Sequence, residues 1–229
     1  MWQDLRSELY PRGLEIVTVA LDTGGADAAR RWIEAARPEH PSLIDRGHRT
    51  DELFGIVNVP SGIWIDEAGT IARPPETAYP RRPAFLDREI PANASPRVVA
   101  QITEVKKLRI EAEKYVAALR DWVAHGAASR YALSPEEVVR RSRPRPVEEA
   151  LAAAHFALGH HLHDAGRAAD AVPHFREAIR LQPENWTYKR QAWNLAGSAE
   201  AAQALYGSDW LADVRALGAE NYYPPLELE

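Results

Sequence analysis

Histidines are the residues of this chain whose type and spacing first suggest chemistry. Five of the eight fall in one short stretch: His155, His160, His161, His163 and His174. His160 and His163 are three residues apart and share a helix face, where two imidazoles can bind one metal ion. Because no carboxylate completes the ligand set at helical spacing, we predict a polar surface here rather than a metal centre.

Aspartates at the ends of apolar segments form a second group of candidates. They are Asp22, Asp45 and Asp66. Folds of the α/β class bind ligands at the ends of strands, so a metal site or an acid and base pair is one interpretation. Aspartate also initiates turns, which accounts for all three positions more simply. The sequence contains no Ser-His-Asp signature, phosphate-binding loop or glycine-rich dinucleotide turn.

The absence of cysteine removes a whole class of chemistry from the 229 residues. Disulfides, thiolate-bound zinc, iron–sulfur clusters and a thiol nucleophile all require this residue. We therefore predict no catalytic residue, no cofactor and no dithiol redox chemistry for the chain as written.

Charge and hydropathy narrow the range of partners. There are 28 Lys and Arg against 33 Asp and Glu, spread evenly along the chain, which disfavours nucleic acid. The densest basic cluster, Arg140, Arg141, Arg143 and Arg145, has no interleaved aromatic residues and precedes two glutamates, so we predict a solvated loop. Without a signal peptide pattern or an apolar run near 18 residues, we predict a cytoplasmic protein with no membrane partner.

Residues 1–76 alternate helical and strand patterns, which predicts an α/β unit. The apolar, β-branched run Glu15–Leu21 predicts a buried strand, and Ser42–Asp45 a second, shorter strand. Residues 62–66 and 70–73 flank a tight turn and predict an antiparallel hairpin.

The rest of the chain predicts helices after a proline-rich linker at residues 77–97. We expect a helical domain over residues 98–225. Its predicted helices cover residues 98–125, near 135–142, and near 186–196, 198–206 and 208–217. Trp186, Trp193 and Trp210 are predicted to pack between these helices rather than to form a ligand cage.

Residues 152–185 resemble one tetratricopeptide repeat, a helix-turn-helix unit of 34 residues. The matching positions are Leu158, Gly159, Leu162, Gly166, Ala171, Phe175, Ala178 and Pro183, and Pro173 inside the second helix is a departure. In such repeats a groove binds peptides, and the corresponding positions here are Ala153, Phe156, His160 and His163. The resemblance implies a protein or peptide partner, but these residues do not match the Lys and Asn clamp for terminal carboxylates.

The first 76 residues resemble the thioredoxin-like ResA and TlpA group of thiol-disulfide oxidoreductases, which is allied to the peroxiredoxins. The resemblance rests on Arg12–Asp22, Pro41–Asp45, Gly55–Pro60 and Trp64–Ile71. It implies that Pro60, after Val59, is the cis-proline that faces the redox site in that family. The family's Trp-Ala-x-x-Cys motif and the central strand before it are absent, so we expect an incomplete thioredoxin-like sheet.

Two functions follow from these resemblances. We expect a redox-inactive thioredoxin-like and tetratricopeptide protein that binds other proteins or acts as a scaffold. The alternative is the C-terminal remnant of a thiol- or selenol-dependent oxidoreductase or peroxide reductase, whose cysteine or selenocysteine motif lies upstream of Met1. Because a missing central strand exposes two strand edges, dimerisation of the chain through these edges is also predicted.

Overall fold

The computed structural model describes residues 1–142 and 144–228, in which helices and short strands alternate before an all-helical portion. The strands are β1 Thr18–Leu21, β2 Ser42–Asp45, β3 Ser61–Ile65 and β4 Ile71–Thr77. The α-helices are α1 Trp2–Leu9, α2 Gly25–Ala36, α3 Arg49–Phe54, α4 Pro96–Val105, α5 Ala112–His125, α6 Pro135–Arg141, α7 Val147–Asp164, α8 Ala168–Leu181, α9 Trp186–Leu195, α10 Ala199–Tyr206 and α11 Trp210–Leu217. The expected mixture of α/β and helical segments is confirmed at this level.

The four strands form two separate two-stranded sheets. Strands β1 and β2 are parallel, with Thr18 opposite Ser42, whereas β3 and β4 are antiparallel, with Ser61 opposite Thr77. Within the described residues no strand joins the two sheets. Each strand therefore has one unpaired edge among the described residues, and two of these edges belong to β1 and β3.

The aspartates that end the strands serve as turn residues. Asp66 Oδ1 accepts hydrogen bonds from the amides of Ala68 and Thr70, at 3.0 and 2.8 Å, and closes the turn between β3 and β4. Asp22 accepts from the amide of Gly24 at 2.8 Å in the same manner. Their carboxylates thus satisfy local backbone donors, as the simpler interpretation of the sequence required.

The long helix predicted over residues 98–125 is two helices, so that prediction was wrong. Helix α4 ends at Val105 and α5 begins at Ala112. Leu108 in the connecting turn remains buried, so the apolar periodicity runs through the break without a glycine or proline to mark it. The break lets α4 pack against α11 while α5 packs on Trp64 of β3.

The proline-rich segment is packed against the protein. Strand β4 continues through Pro74 and Pro75 to Thr77, past its predicted end at Arg73. This is compatible with proline because β4 is an edge strand and both prolines lie where its register with β3 shifts, between the pairs Gly62–Glu76 and Trp64–Arg73. Farther along, Tyr79 and Leu86 are buried in a core cluster with residues of α9 and α11.

Helices α7 and α8 form the helix-turn-helix unit expected within residues 152–185. A Cβ atom placed on Gly159 would lie 3.0 Å from the ring of Phe175, which shows how closely the helices approach. Pro173 lies inside α8 and does not end it. Whether this pair belongs to the tetratricopeptide class stays a prediction.

Candidate functional site

A cleft of about 1620 Å³ lies between the two sheets, within the part of the chain that the structure describes. Strands β1 and β3 form two of its walls. Helices α4 and α5 supply apolar side chains, among them Ile102, Val105 and Leu119, and the C-terminal residues Tyr222 and Tyr223 also line it. Large, mainly apolar clefts with a few polar groups are the usual form of binding sites in proteins.

The unpaired edge of β1 presents backbone groups to this cleft. The amides of Thr18 and Asp22 donate to carbonyl groups of the β2 segment, at 3.0 and 3.4 Å. Alternate residues of a strand direct their backbone to opposite sides, so Val17 and Val19 direct theirs into the cleft. The carbonyl of Leu21, at the end of the edge, already accepts from Gln191 of α9 at 3.3 Å.

Pro60 lies where β3 begins, and the Val59–Pro60 peptide bond is cis. Both residues line the cleft. The carbonyl of Val59 accepts a hydrogen bond from the hydroxyl of Tyr223 at 3.2 Å, and that hydroxyl accepts from Tyr79 at 2.9 Å. The C-terminal portion of the chain therefore holds the entry to β3 in place.

The residues just before Pro60 are fixed by the helical part of the chain. The amide of Trp186, at the start of α9, donates to the carbonyl of Val57 at 2.6 Å. The side chain of Asn58 donates to the carbonyl of Tyr222 at 3.1 Å. Because both contacts join residues far apart in sequence, the geometry around Pro60 depends on the helices as well as on the sheet.

The three tryptophans that we predicted to pack between helices have two roles. Trp186 and Trp193 are buried in one cluster with Tyr222, whose ring centre lies 4.6 Å from that of Trp186. Trp193 and Trp210 also line the cleft. Their interhelical packing thus forms part of the wall of the candidate site.

The predicted groove residue Phe156 is covered by other parts of the chain. Its ring is stacked on that of Tyr188 with centroids 4.3 Å apart, and it meets the ring of His48 at 4.8 Å. Ala153 is buried as well. The structure therefore differs from an open groove at these positions, because the loop before α3 and helix α9 occupy the face of α7.

The other predicted groove residues, His160 and His163, are only partly buried. Burial lowers the pKa of His160, and the Asp164 carboxylate, 3.3 Å from its Nε2, opposes this shift only in part. The ring is thus held largely neutral at pH 7. Across residues 1–142 and 144–228, no cluster of three or more histidine, aspartate or glutamate residues could hold a metal ion.

The basic residues in the last turn of α6 and in the segment after it are largely paired with carboxylates. Arg140 and Arg141 both donate to Glu137 at 2.6 Å, and Arg145 donates to a carboxylate of α3 at 3.2 Å. Arg143 lies outside the described residues. Arg140 and Arg141 lie in the last turn of α6, so the loop prediction was wrong for them, whereas Arg145 lies between α6 and α7. The pairing leaves little free positive charge on these three arginines.

In the part of the chain that the structure describes, no helix combines the length and apolarity needed to cross a membrane. The chain was also compared with known proteins, and no protein-family model, curated protein or solved structure matches it.

Proposed function

We propose that this protein binds an extended polypeptide segment in the cleft between β1 and β3. The observation that carries the proposal is that two unpaired strand edges line one large apolar cleft. Exposed edges with free amide and carbonyl groups pair readily with another strand. Main-chain hydrogen bonds then supply affinity, while side-chain pockets supply specificity.

The dimensions and the lining support an extended occupant. Strands β1 and β3 have four and five residues, so a bound strand of similar length would be paired along most of its course. Ile63 and Val105 line the cleft with other aliphatic residues, which favours apolar side chains on the bound segment. A scaffold or binding role of this kind requires no cysteine and agrees with the function expected from the sequence.

Val19→Pro should weaken peptide binding about two- to tenfold. The substitution removes one amide donor from the edge of β1 that faces the cleft. A single hydrogen bond contributes about 0.5–1.5 kcal/mol to the free energy of binding. The probe is a fluorescently labelled, amidated heptapeptide of alternating valine and threonine, and the readout is fluorescence anisotropy. A copy of the peptide methylated at alternate backbone nitrogens should bind more weakly to the unchanged protein.

The matched control is Ile44→Pro on the opposite edge of the same sheet. Ile44 lies between residues of β2 that face β1, so its backbone points away from the cleft. This variant should bind the peptide as the unchanged protein does. Strand pairing in the cleft would be contradicted if Val19→Pro and Ile44→Pro weakened peptide binding equally. It would also be contradicted if the methylated peptide bound as tightly as the unmethylated one. Dimers that dissociate when the peptide is added would identify a second copy of the chain as the occupant.

Thiol- or selenol-dependent redox chemistry is the second candidate function. Val59 and Pro60 line the same cleft, so a segment seated there would bring its own side chains beside the proline. The chain has no cysteine and should not reduce insulin disulfides by itself. The genomic reading frame about 100 bases upstream tests this candidate, because it requires an in-frame Trp codon followed closely by UGA or a Cys codon.

A further inference from the structure

Arg190 of α9 lines the cleft without a carboxylate partner. Its guanidinium donates a hydrogen bond to the hydroxyl of Tyr222 and lies over that residue's ring, 5.5 Å from the centroid. Among the described residues, no aspartate or glutamate pairs with it. A guanidinium has five N–H donors and stays protonated at any ordinary pH, so donors and a full positive charge remain for a ligand.

Two neighbouring cations are each paired with a carboxylate, in contrast to Arg190. Lys189, the preceding residue, is bonded to Asp213 at 2.6 Å. Arg97, which also lines the cleft, is bonded to Asp209 at 2.9 Å. Partly buried cations are normally compensated by an anion because desolvation of an unpaired charge is costly. Arg190 lacks this compensation on the wall of a cleft that is open to ligands.

The hydroxyl of Tyr222 provides a second donor beside Arg190. Burial raises the pKa of Tyr222 from its ordinary value, and the nearby Arg190 charge only partly offsets this, so the hydroxyl stays protonated at neutral pH. Since its oxygen accepts from Arg190, its proton is left to donate to a ligand. The carbonyl of Tyr222 is fixed by Asn58, which holds this pair close to Pro60.

We infer that Arg190 and Tyr222 form a carboxylate-binding site at the Pro60 end of the cleft, where they anchor an acidic group of the bound polypeptide. The source of the carboxylate rests on the proposed function, whereas the anion site itself rests on the unpaired guanidinium. A planar guanidinium binds a carboxylate through paired, charge-assisted hydrogen bonds, which gives both affinity and orientation. Such an anchor would set the register of the bound strand.

Nuclear magnetic resonance with acetate as the probe tests the anion site without a peptide. The Nε–H resonance of Arg190, assigned from its absence in Arg190→Gln, should move saturably as acetate is added. The exposed Arg120 of α5 serves as the reference resonance and should move only weakly. If Arg190 shows no saturable shift with acetate, the carboxylate site is overturned.

Peptide binding then tests the source of the carboxylate. An amidated valine and threonine peptide with one internal glutamate should bind about tenfold more tightly than its glutamine analogue. A second peptide lacks glutamate but has a free C-terminal carboxylate. The peptide that binds more tightly of the two identifies whether the carboxylate comes from a side chain or from a chain terminus. Arg190→Gln should abolish the preference, Arg190→Lys should retain part of it, and Arg120→Gln should leave it unchanged. Thermal melts of each variant establish that it folds.

The two proposals fail in different ways. If the acidic and neutral peptides bind equally, the carboxylate anchor is overturned while strand binding stands. If acetate moves the Arg190 resonance but no peptide binds, strand binding is overturned while the anion site stands.

Discussion

Replacing Arg73 with methionine should lower the free energy of unfolding by about 3–5 kcal/mol. Arg73 is 2% exposed and forms a two-point ion pair with Glu76 at 2.9 and 3.2 Å. It also donates to the carbonyl groups of Tyr131 and Glu227, at 2.6 and 2.9 Å. One side chain thus joins β4, the segment before α6 and the C-terminal residues, and its loss leaves a largely buried carboxylate and two carbonyl groups without this donor.

Equilibrium denaturation with urea provides the measurement, and Arg120→Met is its matched control. Arg120 forms the same two-point arrangement with Glu8, at 2.7 and 2.8 Å, but on the protein surface. Exposed pairs contribute at most about 1 kcal/mol, so the control should change stability little. The double variant Arg73→Met with Glu76→Leu should recover part of the loss, because no unpaired buried charge remains. Equal effects of Arg73→Met and Arg120→Met would show that burial does not decide the result.

Elements with local signals could be predicted from the sequence. The three C-terminal helices lie within a few residues of the predicted ranges because their boundaries are marked by capping residues. Ser198 accepts from the amide of Ala201 at 3.1 Å at the start of α10, and Gly207 ends that helix in the left-handed region. Asp209 caps α11 in the same manner. Such signals depend only on neighbouring residues.

Features that depend on distant contacts could not be predicted in this way. The break after Val105 carries no glycine or proline, and it serves the packing of two helices on different partners. Phe156 matches a groove position by spacing, but its burial depends on His48, which is remote in sequence. The cleft itself is bounded by strands, helices and C-terminal residues together. That Arg190 on its wall has no carboxylate partner follows only from the positions of the surrounding carboxylates in the fold.

Asp51 shows the same limitation at a single residue. By its position in the chain, Asp51 is an acid in the first turn of α3, as is its neighbour Glu52. In the structure its side chain is 1% exposed and lies 2.8 Å from Nδ1 of His48. Thr187 of α9 lies 2.9 Å from the same carboxylate oxygen. Asp51 therefore connects the α/β part of the chain to the helical part.

Replacing Asp51 with alanine should lower the free energy of unfolding by about 2–5 kcal/mol. A carboxylate only accepts hydrogen bonds, so Nδ1 of His48 carries a proton that would lose its acceptor in a buried site. The hydroxyl of Thr187 would lose the same acceptor but keep Oδ1 of Asn185, at 2.5 Å. Asp51→Asn keeps an acceptor oxygen and should cost less. Urea denaturation followed by tryptophan fluorescence measures both variants.

Glu52→Ala is the matched control because it removes the adjacent acid of the same helical turn. Glu52 pairs with Arg145 at 3.2 Å, and both side chains are about one-third exposed. Its loss should cost at most about 1 kcal/mol. Similar destabilisation by Asp51→Ala and Glu52→Ala would mean that the buried contact between α3 and α9 contributes no more than a surface ion pair. A clearly larger loss of unfolding free energy for Asp51→Ala than for Glu52→Ala would show that this contact stabilises the packing of α3 on α9.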